Sequence, residues 1–150
     1  MKFLIDRNVI AETEKEETDR NPACMEWLRA NRSNLYTSPI VLGEQQKGIE
    51  LMPEGRNKKA LRAWFDRFLK DCAYSVVPID LQVGLKWGEI EAAARRQGIN
   101  KSVEDHLIAA TAAVHSMTVV TENIKDFVHT GVRVLNPFLS PPTVIEPGQR

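Results

Sequence analysis

The sequence has few of the residues on which disulfide-rich and zinc-binding proteins depend. It contains two cysteines, Cys24 and Cys72, and three histidines in 150 residues. The cysteines lie far apart without a CxxC partner, so we predict two reduced thiols rather than a disulfide or a thiolate metal site. His106 and His115 are interpreted as helix-surface or packed residues. No Ser-His-Asp or Cys-His spacing supports nucleophilic catalysis.

The sequence also lacks a long apolar run and an excess of charge. No stretch approaches the roughly 20 apolar residues that cross a bilayer, and the run Phe3-Leu4-Ile5 reaches an acid too soon for a signal peptide. Twenty basic and twenty acidic residues cancel, so net charge gives no general attraction to nucleic acid. The composition, with 43% apolar residues, predicts one cytoplasmic globular domain without a membrane partner.

Short apolar stretches alternate with helical patterns along most of the chain. The predicted strands lie in "FLI", "NLYTSP", "YSVVPID", "MTVVTEN" and "VRVLNP", and Asn8 is predicted to cap the first helix. This alternation predicts an α/β fold with a parallel sheet flanked by helices on both faces. The fold is expected to span residues 1–138, with 139–150 as a Pro-rich tail that is extended or loosely attached.

Four acids lie near predicted strand ends or in the helices that begin there, where parallel sheets bind their ligands. Carboxylates a few Å apart repel by about 1 kcal/mol per pair in water and by more in a cleft, so they gather only with protons or metal ions. Oxygen ligands without histidine or cysteine favour Mg²⁺ or Mn²⁺ over zinc. Such ions promote phosphodiester cleavage. The four acids are Asp6, Glu44, Asp105 and Asp126.

Each acid also has an ordinary structural explanation. Asp105 follows Ser102 at the spacing of a capping box, and Glu44 can form a surface pair with Lys47. Asp126 can be a turn residue. Asp6 can pair with Arg7 or cap the next helix. Taken separately, these positions do not establish a nuclease.

Three blocks of the sequence resemble the PIN-domain ribonucleases of the VapC toxin type. "MKFLIDRNVIAE" resembles their first strand, which ends in Asp-Thr-Asn, and "SPIVLGEQQKGIELMP" resembles their glutamate helix. "DHLIAATAAVHSMTVVTENIKDFVHTGVRVLNPF" resembles their third block. The resemblance covers residues 1 to 138 and leaves out the Pro-rich tail.

The resemblance implies a PIN fold with endoribonuclease activity and a cluster of Asp6, Glu44, Asp105 and Asp126. Mg²⁺ or Mn²⁺ is expected on Asp6, Asp105 and Asp126, and Asn8 is a further candidate for lining the site. Asn123 rivals Asp126 for the fourth position. The resemblance also implies a cognate antitoxin that restrains the activity, in a homodimer or a toxin-antitoxin hetero-oligomer.

Arg7 departs from the family pattern, which has a small hydroxyl residue at this place. Its guanidinium brings a fixed positive charge and five donors. It can point into solvent, bind a substrate phosphate, or pair with Asp6 and compete with the metal. Glu122, where relatives often carry a basic or polar residue, adds a further possible negative charge near the site.

Substrate and partner contacts have less specific signals. Cations concentrate around one predicted helix, of which Lys58 and Arg62 are candidates to guide the RNA backbone, although an ordinary solvated face is the simpler interpretation. Large apolar residues such as Trp27 and Trp64 suit a groove for an antitoxin helix or a dimer mate, but core packing is favoured for most of them.

The sequence therefore predicts a Mg²⁺- or Mn²⁺-dependent endoribonuclease toxin. The alternative, motivated by Arg7 and Glu122, is a catalytically weakened PIN fold that binds RNA or an antitoxin. A phospho-accepting receiver domain is a third and weaker interpretation, because it leaves Glu44 unexplained.

Overall fold

The computed structural model describes residues 1–71 and 74–149. Cys24 is a free, buried thiol, and the prediction for Cys72 falls outside the described residues.

Short 3₁₀ turns lie at Glu17–Asp19, Arg32–Asn34, Ile124–Asp126 and Val128–Thr130. The strands and α-helices follow in the order β1 (Lys2–Ile5), α1 (Arg7–Glu14), α2 (Pro22–Ala30), β2 (Leu35–Thr37), α3 (Pro39–Glu50), α4 (Arg56–Lys70), β3 (Ser75–Val76), α5 (Leu81–Arg96), α6 (Val103–Val114), β4 (Met117–Val120), β5 (Val134–Asn136) and β6 (Thr143–Ile145).

The strands form one sheet in the order β3-β2-β1-β4-β5-β6. The first five strands run parallel, and β6 pairs with β5 in the antiparallel direction. The predicted α/β fold class is therefore confirmed. The chain moves outward from β1 to β3 and then returns to place β4 on the other side of β1. The carboxyl ends of β1 and β4 thus meet at the topological switch point, where such sheets form their ligand crevice.

The central strands are buried on both faces of the sheet. Leu4 and Ile5 are neighbours in β1 and both have 0% exposure, although successive side chains point to opposite faces. All four residues of β4 are also buried. Helices must therefore cover both faces, as expected when short continuous apolar runs form parallel strands.

The first helix begins differently from the prediction. Asp6, rather than Asn8, is its N-cap, with an extended backbone and a side chain that accepts a hydrogen bond from the backbone N–H of Arg7. The prediction for Asn8 was wrong because α1 starts immediately after β1. The first candidate carboxylate therefore sits in the junction between a buried strand and a helix N-terminus.

Most of the large apolar residues pack into the core. Leu28 and Phe65 are buried, and Trp27 meets the ring of Phe3 edge-on at 4.8 Å. Trp64 and Phe68 stack at 5.4 Å and are partly buried against the same core. Core packing therefore accounts for much of this apolar surface, and partner contacts could involve only its exposed parts.

Part of the segment after residue 138 is extended and attached to the sheet. Thr143 pairs with Asn136, and Arg133 forms an ion pair with Glu146 at 2.8 Å. The division of the chain at residue 138 remains a prediction, but residues 143–145 are part of the sheet. Within the described ranges, no helix is both long enough and apolar enough to cross a membrane.

Candidate active site

The candidate site lies at the carboxyl ends of β1 and β4. Ile5 and Val120 are register partners at the ends of these strands, and the backbone N–H of Asp6 donates to the carbonyl of Val120 at 3.0 Å. Asp6 and Thr121 consequently leave the sheet side by side. This geometry follows directly from two parallel strands that end at the same level.

Three donors fix the carboxylate of Asp6. Its Oδ1 accepts from the backbone N–H of Arg7 at 2.7 Å, and its Oδ2 accepts from the Thr121 hydroxyl at 2.8 Å and from Asn8 Nδ2 at 3.3 Å. The pKa of Asp6 is nevertheless raised, because burial disfavours the charged form more than these hydrogen bonds favour it. Asp6 is therefore an oriented carboxylate that would gain from a nearby cation.

Thr121 and Asn8 together hold the loop after β4 against the first helix. Asn8 Nδ2 donates to Thr121 Oγ1 at 2.9 Å, and Asn8 Oδ1 accepts from the backbone N–H of Glu122 at 3.1 Å. The backbone N–H of Asn123 donates to Thr121 Oγ1 at 3.1 Å. The sequence was not interpreted as giving Thr121 a role, although its position at the end of the β-branched strand could have indicated one.

A cavity of about 460 Å³ opens beside Asp6. Of the four predicted acids, it brings together Asp6, Glu44 and Asp105. Asp126 is not on its wall, and its Oδ1 instead accepts a hydrogen bond from Lys101 Nζ at 2.8 Å. The lining residues are Asp6, Arg7, Asn8, Ala11, Glu12, Lys15, Glu44, Asp105, Glu122 and Asn123.

The carboxylates of the cavity perturb one another. The pKa of Glu44 is raised to about 7, first by burial and then by the charges of Asp6 and Asp105. Burial also raises the pKa of Asp105, with further contributions from Asp126 and Asp6. Asp126 thus remains electrostatically coupled to the cavity although Lys101 holds it. Perturbed acids gathered in a cleft are typical of functional sites.

Asp105 takes part both in the N-terminal cap of α6 and in the acidic cluster, the two roles that its spacing left open. Ser102 caps α6 by accepting a hydrogen bond from the backbone N–H of Asp105 at 3.1 Å. The carboxyl group of Asp105 nevertheless lies at the cavity. The cap therefore fixes the backbone of a residue whose side chain belongs to the acidic cluster.

Arg7 does not form an ion pair with Asp6 within the part of the chain that the structure describes. Its Nε donates to Gln45 Oε1 at 3.3 Å, and its guanidinium lies over Gly48 of α3. In the structure, Arg7 therefore does not compete with a metal ion for Asp6. Arg7 remains on the cavity wall.

Lys58 and Arg62 are engaged away from the cavity. Lys58 is buried, and its Nζ contacts Glu54 Oε1 at 2.6 Å and the carbonyl of Glu50 at 3.2 Å. Arg62 pairs with Glu50 at 2.9 Å. Their role in guiding RNA stays a prediction, and the carboxylates beside them offset the charge that it requires.

The donor chemistry of the cavity fits a hard divalent cation, because its acidic wall consists of oxygen ligands that repel one another. Across residues 1–71 and 74–149, however, no three Asp, Glu, His or Cys side chains converge closely enough to hold a metal ion. Two features oppose convergence: mutual repulsion at the cavity and the Lys101–Asp126 ion pair.

A partly buried chain of polar side chains includes His106, the residue that follows Asp105 in α6. His106 is 1% exposed, and its Nδ1 lies 2.6 Å from Glu91 Oε2 while its Nε2 lies 2.8 Å from His129 Nε2. This confirms that His106 is a packed residue. The chain connects α5, α6 and the turn after Asp126, and sequence spacing gave no signal of it.

Replacing Thr121 by valine should destabilise the junction between β1 and β4. Thr121→Val keeps the shape but removes one donor to Asp6 and the acceptor of two N–H groups, which we expect to lower the free energy of unfolding by about 1–3 kcal/mol. Urea denaturation would measure the change. The exposed Thr143→Val is the control, and equal stability of the two variants would contradict the role assigned to Thr121.

The raised pKa of Glu44 predicts a pH-dependent effect of Glu44→Gln. Because ionisation of Glu44 is harder in the folded state, its contribution to stability decreases as pH rises from 4.5 to about 7 and stays lower above it. The full shift would correspond to about 3 kcal/mol, which solvent screening of this half-exposed group reduces to about 1 kcal/mol. Glu44→Gln should therefore stabilise the protein by that amount at pH 8 and not at pH 4.

Thermal and urea unfolding with EDTA at both pH values would measure this difference. The exposed Glu26→Gln in α2 provides the matched control. A stabilisation by Glu44→Gln that persists at pH 4, or one that Glu26→Gln reproduces, would argue against repulsion at the cavity.

The sequence matches the PIN domain family over residues 3–132. It is 31% identical to VapC ribonuclease Y4jK of Sinorhizobium fredii, over 91% of this chain and 97% of that protein. It is also 31% identical to toxin FitB of Neisseria gonorrhoeae, over 91% and 98%. The solved structure of FitAB bound to a DNA fragment superposes with a TM-score of 0.80 at 31% identity, over 91% of this chain and 96% of that one. The chain therefore belongs to the PIN domain family and is of the VapC toxin type.

Proposed function

We propose that this protein is a Mg²⁺- or Mn²⁺-dependent endoribonuclease that acts as the toxin of a toxin-antitoxin pair. The observation that carries the proposal is the meeting of Asp6, Glu44 and Asp105 at one cavity on the topological switch point. The names of two relatives, a VapC ribonuclease and toxin FitB, support the same activity and role.

Asp6 and Asp105 would hold the divalent ion, with Asp126 as the third candidate once released from Lys101. When bound, such an ion increases the acidity of a water molecule and offsets charge on the phosphate. Asp6 is already oriented by its three donors, so its carboxylate would bind without reorganisation. Asn123, on the cavity wall, is the neutral oxygen donor nearest in sequence to Asp126.

Glu44 is suited to proton transfer rather than to permanent charge. With a pKa of about 7, its carboxyl group can accept a proton from an attacking water and return it near neutral pH. Burial is the main cause of this raised pKa, and the charges of Asp6 and Asp105 add to it in the ion-free protein. In this proposal Asp6 and Asp105 bind the ion, and Glu44 transfers the proton.

An antitoxin is the proposed protein partner, within a homodimer or a hetero-oligomer. The support is the name of toxin FitB and the two-component FitAB structure bound to DNA. The partly exposed aromatic surface around Trp64 and Phe68 offers apolar anchors for such a partner.

Cleavage of single-stranded RNA by the purified protein tests the proposal. Activity should require Mg²⁺ or Mn²⁺, and Asp6→Asn and Asp105→Asn should each reduce it by at least about 100-fold. Asp66→Asn, an exposed acid in α4, should retain it. Thermal melting would separate loss of chemistry from loss of fold. A wild-type protein that cuts no RNA with either ion would refute the proposal.

A catalytically weakened PIN fold that binds RNA or an antitoxin is the second candidate function. The lack of three converged carboxylates in the described residues favours it. Calorimetric titration with Mn²⁺ discriminates the two: the nuclease should bind the ion, and Asp105→Asn should weaken that binding. Binding that is absent in the wild type and appears in Arg7→Thr would favour the weakened fold.

A further inference from the structure

The guanidinium of Arg7 packs on α3 at a position formed by Gln45 and Gly48, which we call the Arg7 seat. Its Nε donates to Oε1 of Gln45, a side chain that is 2% exposed and therefore held by its surroundings. A buried neutral amide orients the guanidinium without cancelling its charge. Only one of the five N–H donors of an arginine is used by this bond, so its planar fork keeps donors for a ligand.

Gly48 provides the space for this seat. A Cβ atom built on Gly48 would lie 2.7 Å from Nη2 of Arg7, so the flexible end of the Arg7 side chain would have to move away. At each of the other seven glycines, a Cβ would meet no atom within 4 Å. Gly48 is thus the position where the absence of a side chain admits a specific group, and that group is the Arg7 guanidinium.

The charge at this seat is available to a ligand. Two cations line the acidic cavity, Arg7 at the start of α1 and Lys15 just after its end, and Lys15 is paired with the buried Glu12 at 2.7 Å. Arg7 makes no ion pair among the described residues, although its charge acts at longer range on the carboxyl groups of Asp6, Glu14 and Glu44. A phosphate that approaches the acidic wall is repelled by it, so a fixed, unpaired guanidinium at the edge of that wall suits a phosphate contact.

We propose that Arg7, held by Gln45 over Gly48, binds a backbone phosphate of single-stranded RNA at the edge of the carboxylate cavity. The inference rests on the proposed nuclease function, because it supplies a substrate contact at the cavity itself, whereas Lys58 and Arg62 are engaged away from it. The guanidinium fork keeps donors that can bind two nonbridging phosphate oxygens. The departure from the family pattern at this position is then a substrate-binding feature.

RNA binding measured apart from cleavage tests this role. The ligand is a fluorescently labelled, 2′-O-methyl single-stranded RNA, titrated by anisotropy at several salt concentrations, once in EDTA and once with Mg²⁺. Arg7→Met should weaken binding roughly tenfold or more and reduce the slope of log K against log salt by about 0.7. Arg7→Lys should restore the slope but not the full affinity, because it keeps the charge and loses the fork.

Gly48→Ala is the decisive second variant, because it displaces the guanidinium without changing any charge. It should weaken RNA binding several-fold and leave the salt slope close to the wild-type value. Arg96→Met removes an exposed cation at the end of α5 and is the matched control. Thermal melts of each variant identify any loss of fold.

The outcomes separate this inference from the nuclease proposal. If Arg7→Met binds RNA as Arg96→Met does under both conditions, or if the wild type binds no RNA, the phosphate role is wrong. An effect of Arg7→Met on unfolding but not on RNA affinity would make Arg7 a local charge partner and would also overturn the role. A wild type that binds RNA through Arg7 but cuts none would refute only the nuclease proposal.

Discussion

The hydrogen bond between the Thr121 hydroxyl and the Asp6 carboxylate is the interaction on which the rest of the site depends. It joins the ends of two adjacent parallel strands, and Asn8 and the backbone of Asn123 bind the same hydroxyl. A buried carboxylate costs free energy unless it is hydrogen-bonded. The bond therefore fixes Asp6 and sets where the loop after β4 begins, and that loop forms one wall of the cavity.

The sequence predicted the sheet for simple physical reasons, and three of the four predicted acids lie at the cavity. Short apolar runs between helical patterns imply parallel strands, and parallel strands bring their carboxyl ends to one edge. Asp6 and Glu44 were therefore found from position and from the family resemblance. Their metal-binding and catalytic roles remain proposals, because geometry alone does not show an ion.

Other features depend on contacts between distant parts of the chain and had no local signal. The Lys101–Asp126 pair, the seat of Arg7 on Gln45 and Gly48, and the bonding of His106 to Glu91 and His129 all join separate elements. The start of α1 was misplaced by two residues because an Asp and an Asn are equally good caps. Only the end of β1 decides between them.

The antiparallel direction of β6 determines where the chain leaves the sheet. Thr143 pairs with the last residue of β5 and Ile145 pairs with its first, so β6 runs away from the edge that carries the cavity. Lys2 and Met117 are register partners at the opposite edge, which places the start of β1 there as well. A peptide fused before β1 or after β6 would emerge at the edge of the sheet opposite the cavity, so either end could be tethered to another protein without covering Asp6.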